Sequence, residues 1–164
     1  MSKIRVLIAD DHALVRKGIC AYLGLYKDIE VVGEASDGIE AIERTRQTKP
    51  EVVLMDMRMP RLGGLEATVE LRKTEPGIRV IVLSQHDDRE YISRFLKAGV
   101  SGYLLKKSVG NELVNAIRAV HRGDCYLFSS RVSEVVSGYL GRDRKAQGSE
   151  PCEGLMDGKG AYAG

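Results

Sequence analysis

Ile4-Arg5-Val6-Leu7-Ile8-Ala9 runs directly into Asp10-Asp11 near the start of the chain. A short apolar run rich in β-branched residues predicts a buried β-strand, and this one ends in two carboxylates. Similar runs follow at 29–35, 52–55, 80–83 and 103–105, and stretches with helical spacing of apolar residues alternate with them. Alternating strands and helices predict an α/β fold, a doubly wound parallel sheet with helices on both of its faces.

The composition excludes several classes of protein. The 164 residues suit one domain of ordinary size with a small appendage. With 25 basic and 23 acidic residues, the net charge is only +2, so strong binding of the whole chain to nucleic acid or an anionic membrane is not expected. No apolar run approaches the roughly 18 residues of a membrane span. Cys20, Cys125 and Cys152 form no CxxC pair and no disulfide framework, so a reducing cytoplasm is expected.

The pattern of apolar residues in the sequence changes near Gly123. Residues 1–123 contain the strand and helix pattern and are predicted to form the domain. Residues 124–141 are predicted to be a linker with a sixth helix, which Ser129 or Ser130 would cap. Beyond it the apolar periodicity is lost and the charges cancel, so residues 142–164 are predicted to be a disordered Gly-rich tail.

Polar side chains follow four of the predicted strands. Asp10 and Asp11 follow the first, Asp56 the third, Ser84 the fourth and Lys106 the fifth. The carboxyl ends of parallel strands meet at one edge of the sheet, where ligands of such folds bind. Clustered carboxylates repel unless a cation joins them, and oxygen ligands with room for water favour Mg²⁺. Mg²⁺, a hydroxyl and an ammonium together are typical of a phosphoryl site, in which Asp56 is the expected nucleophile.

Each of these residues also has an ordinary structural interpretation. Asp10 and Asp11 could cap the first helix, a single Asp after a strand is usually a turn residue, and a Lys at a strand end is usually solvated. The joint placement on four strand ends favours the functional interpretation over a coincidence of turn residues.

These motifs resemble the receiver domain of a bacterial two-component response regulator, in particular of the LuxR/NarL-type branch. The resemblance covers residues 3 to about 141. The matching segments are Val6-Leu7-Ile8-Ala9-Asp10-Asp11-His12, Val53-Leu54-Met55-Asp56-Met57-Arg58-Met59-Pro60, Gly63-Gly64-Leu65-Glu66, Val82-Leu83-Ser84 and Gly102-Tyr103-Leu104-Leu105-Lys106-Lys107. The resemblance implies a flavodoxin-like sheet of five strands in the order 2-1-3-4-5.

The resemblance also implies a role for each site residue. Asp56 would accept a phosphoryl group from a phosphohistidine on a sensor histidine kinase. Asp11, Asp56 and the backbone carbonyl of Arg58 would be direct ligands of Mg²⁺. Asp10 would contact the ion through a water molecule. The contacts to phosphoryl oxygens would come from Ser84 and Lys106.

Three further residues receive roles from the resemblance. Tyr103 would be the switch aromatic that changes rotamer when Ser84 is drawn inward; ordinary edge-strand packing is the alternative. Arg58 and His86 would border the path of the attacking water and tune dephosphorylation. For His86 a solvated loop position is an equal alternative.

The predicted function is a phosphorylation-controlled signalling switch that catalyses only the uptake and loss of its own phosphoryl group. Its output would be dimerisation or partner docking through the fourth helix, fifth strand and fifth helix, and transcriptional regulation in a full-length protein. The alternatives are an Asp-nucleophile phosphohydrolase and a phosphate-independent binding module with the same fold.

The C-terminal part departs from the LuxR/NarL-type pattern. Residues 130–140 match the linker helix of that branch, but no helix-turn-helix module follows in the sequence. We therefore expect no specific DNA binding by this chain as it stands. A truncated chain, a frameshifted reading and a genuine single-domain end all fit this pattern.

Overall fold

Short apolar segments form the strands of the protein, and amphipathic segments form its helices. The structure is a computed structural model, and it describes residues 3–85, 89–108, 110–128 and 161–162. A single 3-10 turn, Lys106–Ser108, follows the fifth strand. The strands and helices are β1 (Ile4–Ala9), α1 (Ala13–Leu23), β2 (Ile29–Ala35), α2 (Gly38–Thr48), β3 (Val52–Asp56), α3 (Gly64–Thr74), β4 (Arg79–Ser84), α4 (Arg89–Lys97), β5 (Gly102–Leu105), α5 (Asn111–His121), β6 (Tyr126–Phe128) and β7 (Ala161–Tyr162).

The sheet is parallel throughout, with the strand order β2-β1-β3-β4-β5-β6-β7. The predicted α/β fold and the predicted order 2-1-3-4-5 are confirmed. The predicted number of five strands is corrected, because β6 pairs with β5 and β7 pairs with β6. Tyr126-Leu127-Phe128 is a run of only three apolar residues, too short to separate from a linker by its pattern alone.

Two hydrophobic layers cover the two faces of the sheet. Residues of α2, α3 and α4 pack on one face, together with side chains such as Leu7, Met55 and Val82. Residues of α1 and α5 pack on the other face, together with side chains such as Ile8, Leu54 and Leu83. Because both faces are covered, the central strands are apolar at nearly every position.

The pairing of β1 with β2 contains a shift in register. Val6 pairs with Val31, but the next residue, Leu7, pairs with Gly33, so Val32 is the extra residue of a bulge. Before the shift Val31 packs toward α1 and α5. After it Ala35, which has the same parity, packs on the opposite face. The shift therefore turns Glu34 toward α1, where its carboxylate lies 2.9 Å from Arg16 Nε.

Some sequence predictions fall at the limits of the described residues. His86 and the predicted sixth helix lie outside them, and β7 is the described part of the predicted tail. Cys20 is a free thiol, whereas Cys125 is disulfide-bonded, a bond that the spacing of the cysteines in the sequence did not predict. Among the described helices, none is long and apolar enough to cross a membrane.

Candidate functional site

The carboxyl ends of β1, β3, β4 and β5 bring the predicted polar residues to one edge of the sheet, called here the carboxyl edge. Asp10 follows β1, Asp56 and Ser84 are the last residues of β3 and β4, and Lys106 follows β5. All of these strands are neighbours in the sheet order. Right-handed crossovers between parallel strands cause this convergence, since they leave every strand end of one kind on the same edge.

An acidic cluster lies at the centre of the carboxyl edge. One ligand atom from each of Asp10, Asp11, His12 and Asp56 lies within 4.8 Å of the others. Asp10 is fully buried and Asp56 is only 4% exposed, whereas Asp11 and His12 face solvent. The cluster therefore has a closed side and an open side from which a ligand can enter.

Lys106 is the cation inside this cluster. Its Nζ lies 3.0 Å from Asp10 Oδ2 and 3.2 Å from Asp56 Oδ2. Burial lowers the pKa of Lys106, but the hydrogen bonds and charges of the two carboxylates outweigh it, and the net pKa is raised. The lysine is therefore charged and offsets part of the carboxylate charge on β1 and β3.

Asp56 titrates unusually for a carboxyl group. Burial, and then the charge of Asp10, raise the pKa of Asp56 to about 6, although Lys106 acts in the opposite direction. The positive charge of Lys106 alone therefore does not offset the effect of burial and of the neighbouring carboxylate on the pKa of Asp56. A further cation would favour the ionised, nucleophilic form of Asp56.

Asp10 is held by His12, the residue just before α1, and by Arg16 of α1. His12 donates its backbone N–H to Asp10 Oδ1 at 2.8 Å, and Arg16 donates from Nη1 to the Asp10 carbonyl at 2.6 Å. Arg16 is itself held by Glu34 of β2. Sequence reasoning assigned no role to His12 or Arg16. The Asp10-Asp11-His12 motif was the available signal for His12, whereas the contacts of Arg16 depend on the bulge in β2.

Ser84 and Tyr103 lie on the same face of the sheet. Ser84 is fully buried and donates from Oγ to Met57 Sδ at 3.8 Å. Tyr103 is 1% exposed and belongs to the hydrophobic layer of α2, α3 and α4. Tyr103 pairs with Val82, two residues before Ser84 on β4. The two residues that the resemblance couples are thus close along neighbouring strands, with Tyr103 in an inward, packed position.

The loop between β3 and α3 forms one wall of the site. Its first residue, Met57, donates its N–H to Leu83 O at 3.1 Å. A Cβ added at Gly64 would lie 2.1 Å from Asp56 O, so only glycine allows α3 to begin this close to the acceptor strand. Arg58 lines a small pocket of about 40 Å³ beside Asp56, room enough for a small group or water.

The donor set of the carboxyl edge fits a hard divalent cation. Asp10, Asp11 and Asp56 offer carboxylate oxygens, which Mg²⁺ prefers, and the exposed side leaves space for water ligands. Three carboxylates beside one lysine also leave an excess of negative charge.

Comparisons with known proteins agree with this arrangement. The protein-family model described as the response regulator receiver domain matches residues 6–118. Among curated proteins, the transcriptional regulatory protein DegU of Brevibacillus brevis is 38% identical over 138 residues, covering 84% of this chain and 58% of that protein. The response regulator GacA of Pseudomonas protegens is 43% identical over 133 residues, covering 81% and 62%. The chain spans about three fifths of the length of these relatives.

Solved structures give the same result. A two-component response regulator of the LuxR family from Aurantimonas sp. SI85-9A1 aligns with a TM-score of 0.77 at 32% identity, over 86% of this chain and 100% of that one. The signal receiver domain of the response regulator NarL from Mycobacterium tuberculosis aligns with a TM-score of 0.72 at 37% identity, over 75% and 99%.

Proposed function

This chain belongs to the family of response regulator receiver domains, of the LuxR/NarL type, and on that basis we propose that Asp56 is its phosphoryl acceptor. The observation that carries the proposal is the position of Lys106, within 3.2 Å of Asp56 and 3.0 Å of Asp10. An acceptor carboxylate next to a fixed cation and a second carboxylate is the arrangement that phosphoryl transfer to Asp requires.

The donor is a phosphohistidine of a sensor histidine kinase. An Asp56 oxygen attacks phosphorus, a P–O bond forms, and the P–N bond to the histidine breaks. Lys106 pairs with one phosphoryl oxygen, and Ser84 donates a hydrogen bond to another. Because both side chains are fixed by β4 and β5, they orient the group without large rearrangement.

Asp11 and Asp56, with the carbonyl of Arg58, are the proposed direct ligands of Mg²⁺, and Asp10 acts through water. When bound, Mg²⁺ neutralises charge on the phosphoryl oxygens. His12 lies 3.2 Å from Asp11 Oδ1 and 3.3 Å from Asp10 Oδ1, so it orients the open side of the cluster. The side chain of Arg58 and His86 are proposed to border the path of the water that removes the phosphoryl group.

Phosphorylation is proposed to act on a surface formed by α4, β5 and α5. Ser84 moves toward the phosphoryl group, and Tyr103 changes rotamer into the space that this movement opens. The output is self-association or docking of a partner. The names of relatives such as DegU describe transcriptional regulators, and in a full-length protein we propose the same output for this receiver.

A labelling experiment with a matched control tests the proposal. Incubated with Mg²⁺ and acetyl phosphate, the wild-type chain should gain one acid-labile phosphoryl group by intact-mass measurement. Asp56→Asn should gain none, because the amide is not a nucleophile. Asp28→Asn, a half-buried position at the other end of the sheet, should label like the wild type. Labelling that persists in Asp56→Asn would reject the assignment.

The same protein separates a switch from a phosphohydrolase. A switch catalyses only the uptake and loss of its own phosphoryl group, so the wild-type chain should hydrolyse p-nitrophenyl phosphate no faster than Asp56→Asn does. Sustained turnover that disappears in Asp56→Asn would instead establish an enzyme.

A further inference from the structure

Arg61 fixes the far end of the loop 57–63, the loop that carries Arg58. Its Nε and Nη2 lie 2.9 and 2.8 Å from the same carboxylate oxygen of Asp37, at the start of α2. The Asp37 side chain is only 10% exposed. Charge-assisted contacts of this kind are short and hold their geometry, particularly where water is excluded from one partner.

The backbone conformation of Arg61 indicates that its contact with Asp37 is part of the folded structure and not an incidental surface contact. Its φ of 64° lies in the left-handed region, which is costly for residues other than glycine. The conformation persists because the surrounding contacts fix it. The neighbouring Leu62 is held as well, since its carbonyl accepts a hydrogen bond from Gly38 N at 3.0 Å.

The start of α2 is a rigid anchor for these contacts. Asp37 Oδ1 accepts a hydrogen bond from Glu40 N at 2.8 Å and so caps the helix. A Cβ added at Gly38 would lie 2.3 Å from Leu62 O, so the helix and the loop are in direct backbone contact. The same carboxylate thus caps α2 with one oxygen and holds Arg61 with the other.

The near end of the loop is anchored to the sheet. Met57 N binds Leu83 O of β4, and Gly64 N binds Met57 O, both at 3.1 Å. Arg58 therefore lies between an anchor on β4 and an anchor on α2. A change at the α2 anchor would therefore act on the loop that carries Arg58.

We propose that Arg61 and Asp37 are a positioning pair for the metal-binding site. They set the position of the Arg58 carbonyl relative to Asp11 and Asp56, and thereby the affinity for Mg²⁺, without touching the ion. This inference rests on the proposed function, because it uses the assignment of the Arg58 carbonyl as a ligand. Groups that orient ligands from outside typically change metal affinity about 10–100-fold when removed.

The test measures Mg²⁺ binding directly rather than phosphorylation. The melting temperature of the full chain is recorded at increasing Mg²⁺ and converted to stabilisation, which grows as RT ln(1 + [Mg²⁺]/Kd). The Mg²⁺ concentration at which this stabilisation reaches RT ln 2 equals the dissociation constant and is called here the midpoint. Arg61→Gly removes the side chain but suits the left-handed backbone, and its midpoint should rise about tenfold. Arg61→Lys, which keeps a single charged donor, should have an intermediate midpoint. Adding Asp37→Asn to Arg61→Gly should raise the midpoint no further, because both changes break one contact.

Arg44→Ala is the control, since Arg44 pairs with Glu40 on the exposed side of the same helix at 3.9 Å. Its midpoint should equal that of the wild type. A purely structural role for Arg61 would lower the metal-free melting temperature and leave the midpoint within twofold of wild type, which overturns the inference. If Arg61→Gly does not fold, an unchanged midpoint in Arg61→Lys overturns it. A wild-type chain without any response to Mg²⁺ would instead refute the proposed metal site itself.

Discussion

The two edges of the sheet handle charge in opposite ways. At the carboxyl edge, the carboxylates of Asp10 and Asp56 are buried and share the single cation of Lys106. At the opposite edge, called here the amino edge, exposed charges meet in nearly balanced pairs. Arg118 contacts Asp28 at 2.9 Å, and Lys49 contacts Glu75 at 3.6 Å.

The comparison separates a binding site from an ordinary charged surface by physical criteria. Matched, solvated ion pairs contribute little free energy and leave no demand for a ligand. Buried, unbalanced carboxylates raise each other's pKa and are stabilised by any added cation. Residues at both edges are polar strand ends, so polarity alone does not distinguish them; burial and charge balance do.

The largest difference in the free energy of unfolding is expected between variants that replace one lysine at each edge. Lys106→Met leaves two buried carboxylates without a cation and should lower the free energy of unfolding by about 3 kcal/mol without Mg²⁺. Lys49→Met removes an exposed ion pair and should cost less than about 1 kcal/mol. Urea unfolding of both variants gives the two values. Equal losses would mean that the two edges do not differ in the way described.

The pH dependence of the free energy of unfolding should reveal the raised pKa of Asp56. Burial and Asp10 raise its pKa to about 6, against about 4 in an unfolded chain. Between these values the folded state binds more protons, so the free energy of unfolding falls as pH rises, by about 2–3 kcal/mol.

Asp56→Asn removes the titrating group and should lack this fall, and Mg²⁺ should reduce it in the wild type. The measurement is chemical unfolding from pH 4 to 7 in EDTA. Parallel curves for the wild type and the variant would contradict the raised pKa of Asp56.

A glycine at each edge allows a comparison of packing. Gly64→Ala places a Cβ 2.1 Å from the Asp56 carbonyl, and the resulting backbone shift should lower stability by about 2 kcal/mol. At Gly77, in the turn between α3 and β4, a Cβ meets nothing within 4 Å. Gly77→Ala should therefore change stability by less than about 0.5 kcal/mol. Thermal melts decide between this outcome and one in which both glycines tolerate alanine.

The smallest effect is expected from Asp28, just before β2 at the amino edge. A hydrogen bond from Arg118 lowers the pKa of Asp28, and Arg118 Nε lies 2.9 Å from its Oδ2. Its contribution to stability is therefore present above the unfolded pKa of about 4 and is lost as pH falls. Asp28→Asn should cost less than about 1 kcal/mol at pH 7 and nothing at pH 3. A larger loss at low pH would reverse the sign of this interaction.

The sequence was sufficient for the parts of the site that local patterns determine. Asp56, Ser84 and Lys106 directly end apolar runs, and the rule that parallel strand ends share an edge brings them together. The ends of two helices are also predictable from a local pattern, a glycine that follows a stretch with helical spacing. Gly99 and Gly123 follow α4 and α5, and their φ values are positive, 88° and 101°.

The remaining features depend on contacts between distant segments. Arg61 reaches Asp37 across 24 positions, and neither residue has a pattern that indicates the other. Arg16 holds the Asp10 carbonyl only because Glu34 faces α1. The strand β6 was missed because a three-residue run gains its strand conformation from pairing with β5 and not from its own length.

The extra residue in β2 also determines how this strand responds to changes in length. Side chains alternate along a strand, and the bulge at Val32 reverses that alternation once. Deleting Val32 would therefore leave residues 33–35 opposite Leu7, Ile8 and Ala9 on their present faces, and Glu34 would still face α1. A strand of the present length without the bulge would instead turn Glu34 away from α1, and Arg16 would lose the carboxylate that holds it beside the Asp10 carbonyl. Homologous chains are therefore expected either to keep the bulge or to lack one residue in this edge strand, although the strand itself contributes no group to the acidic cluster.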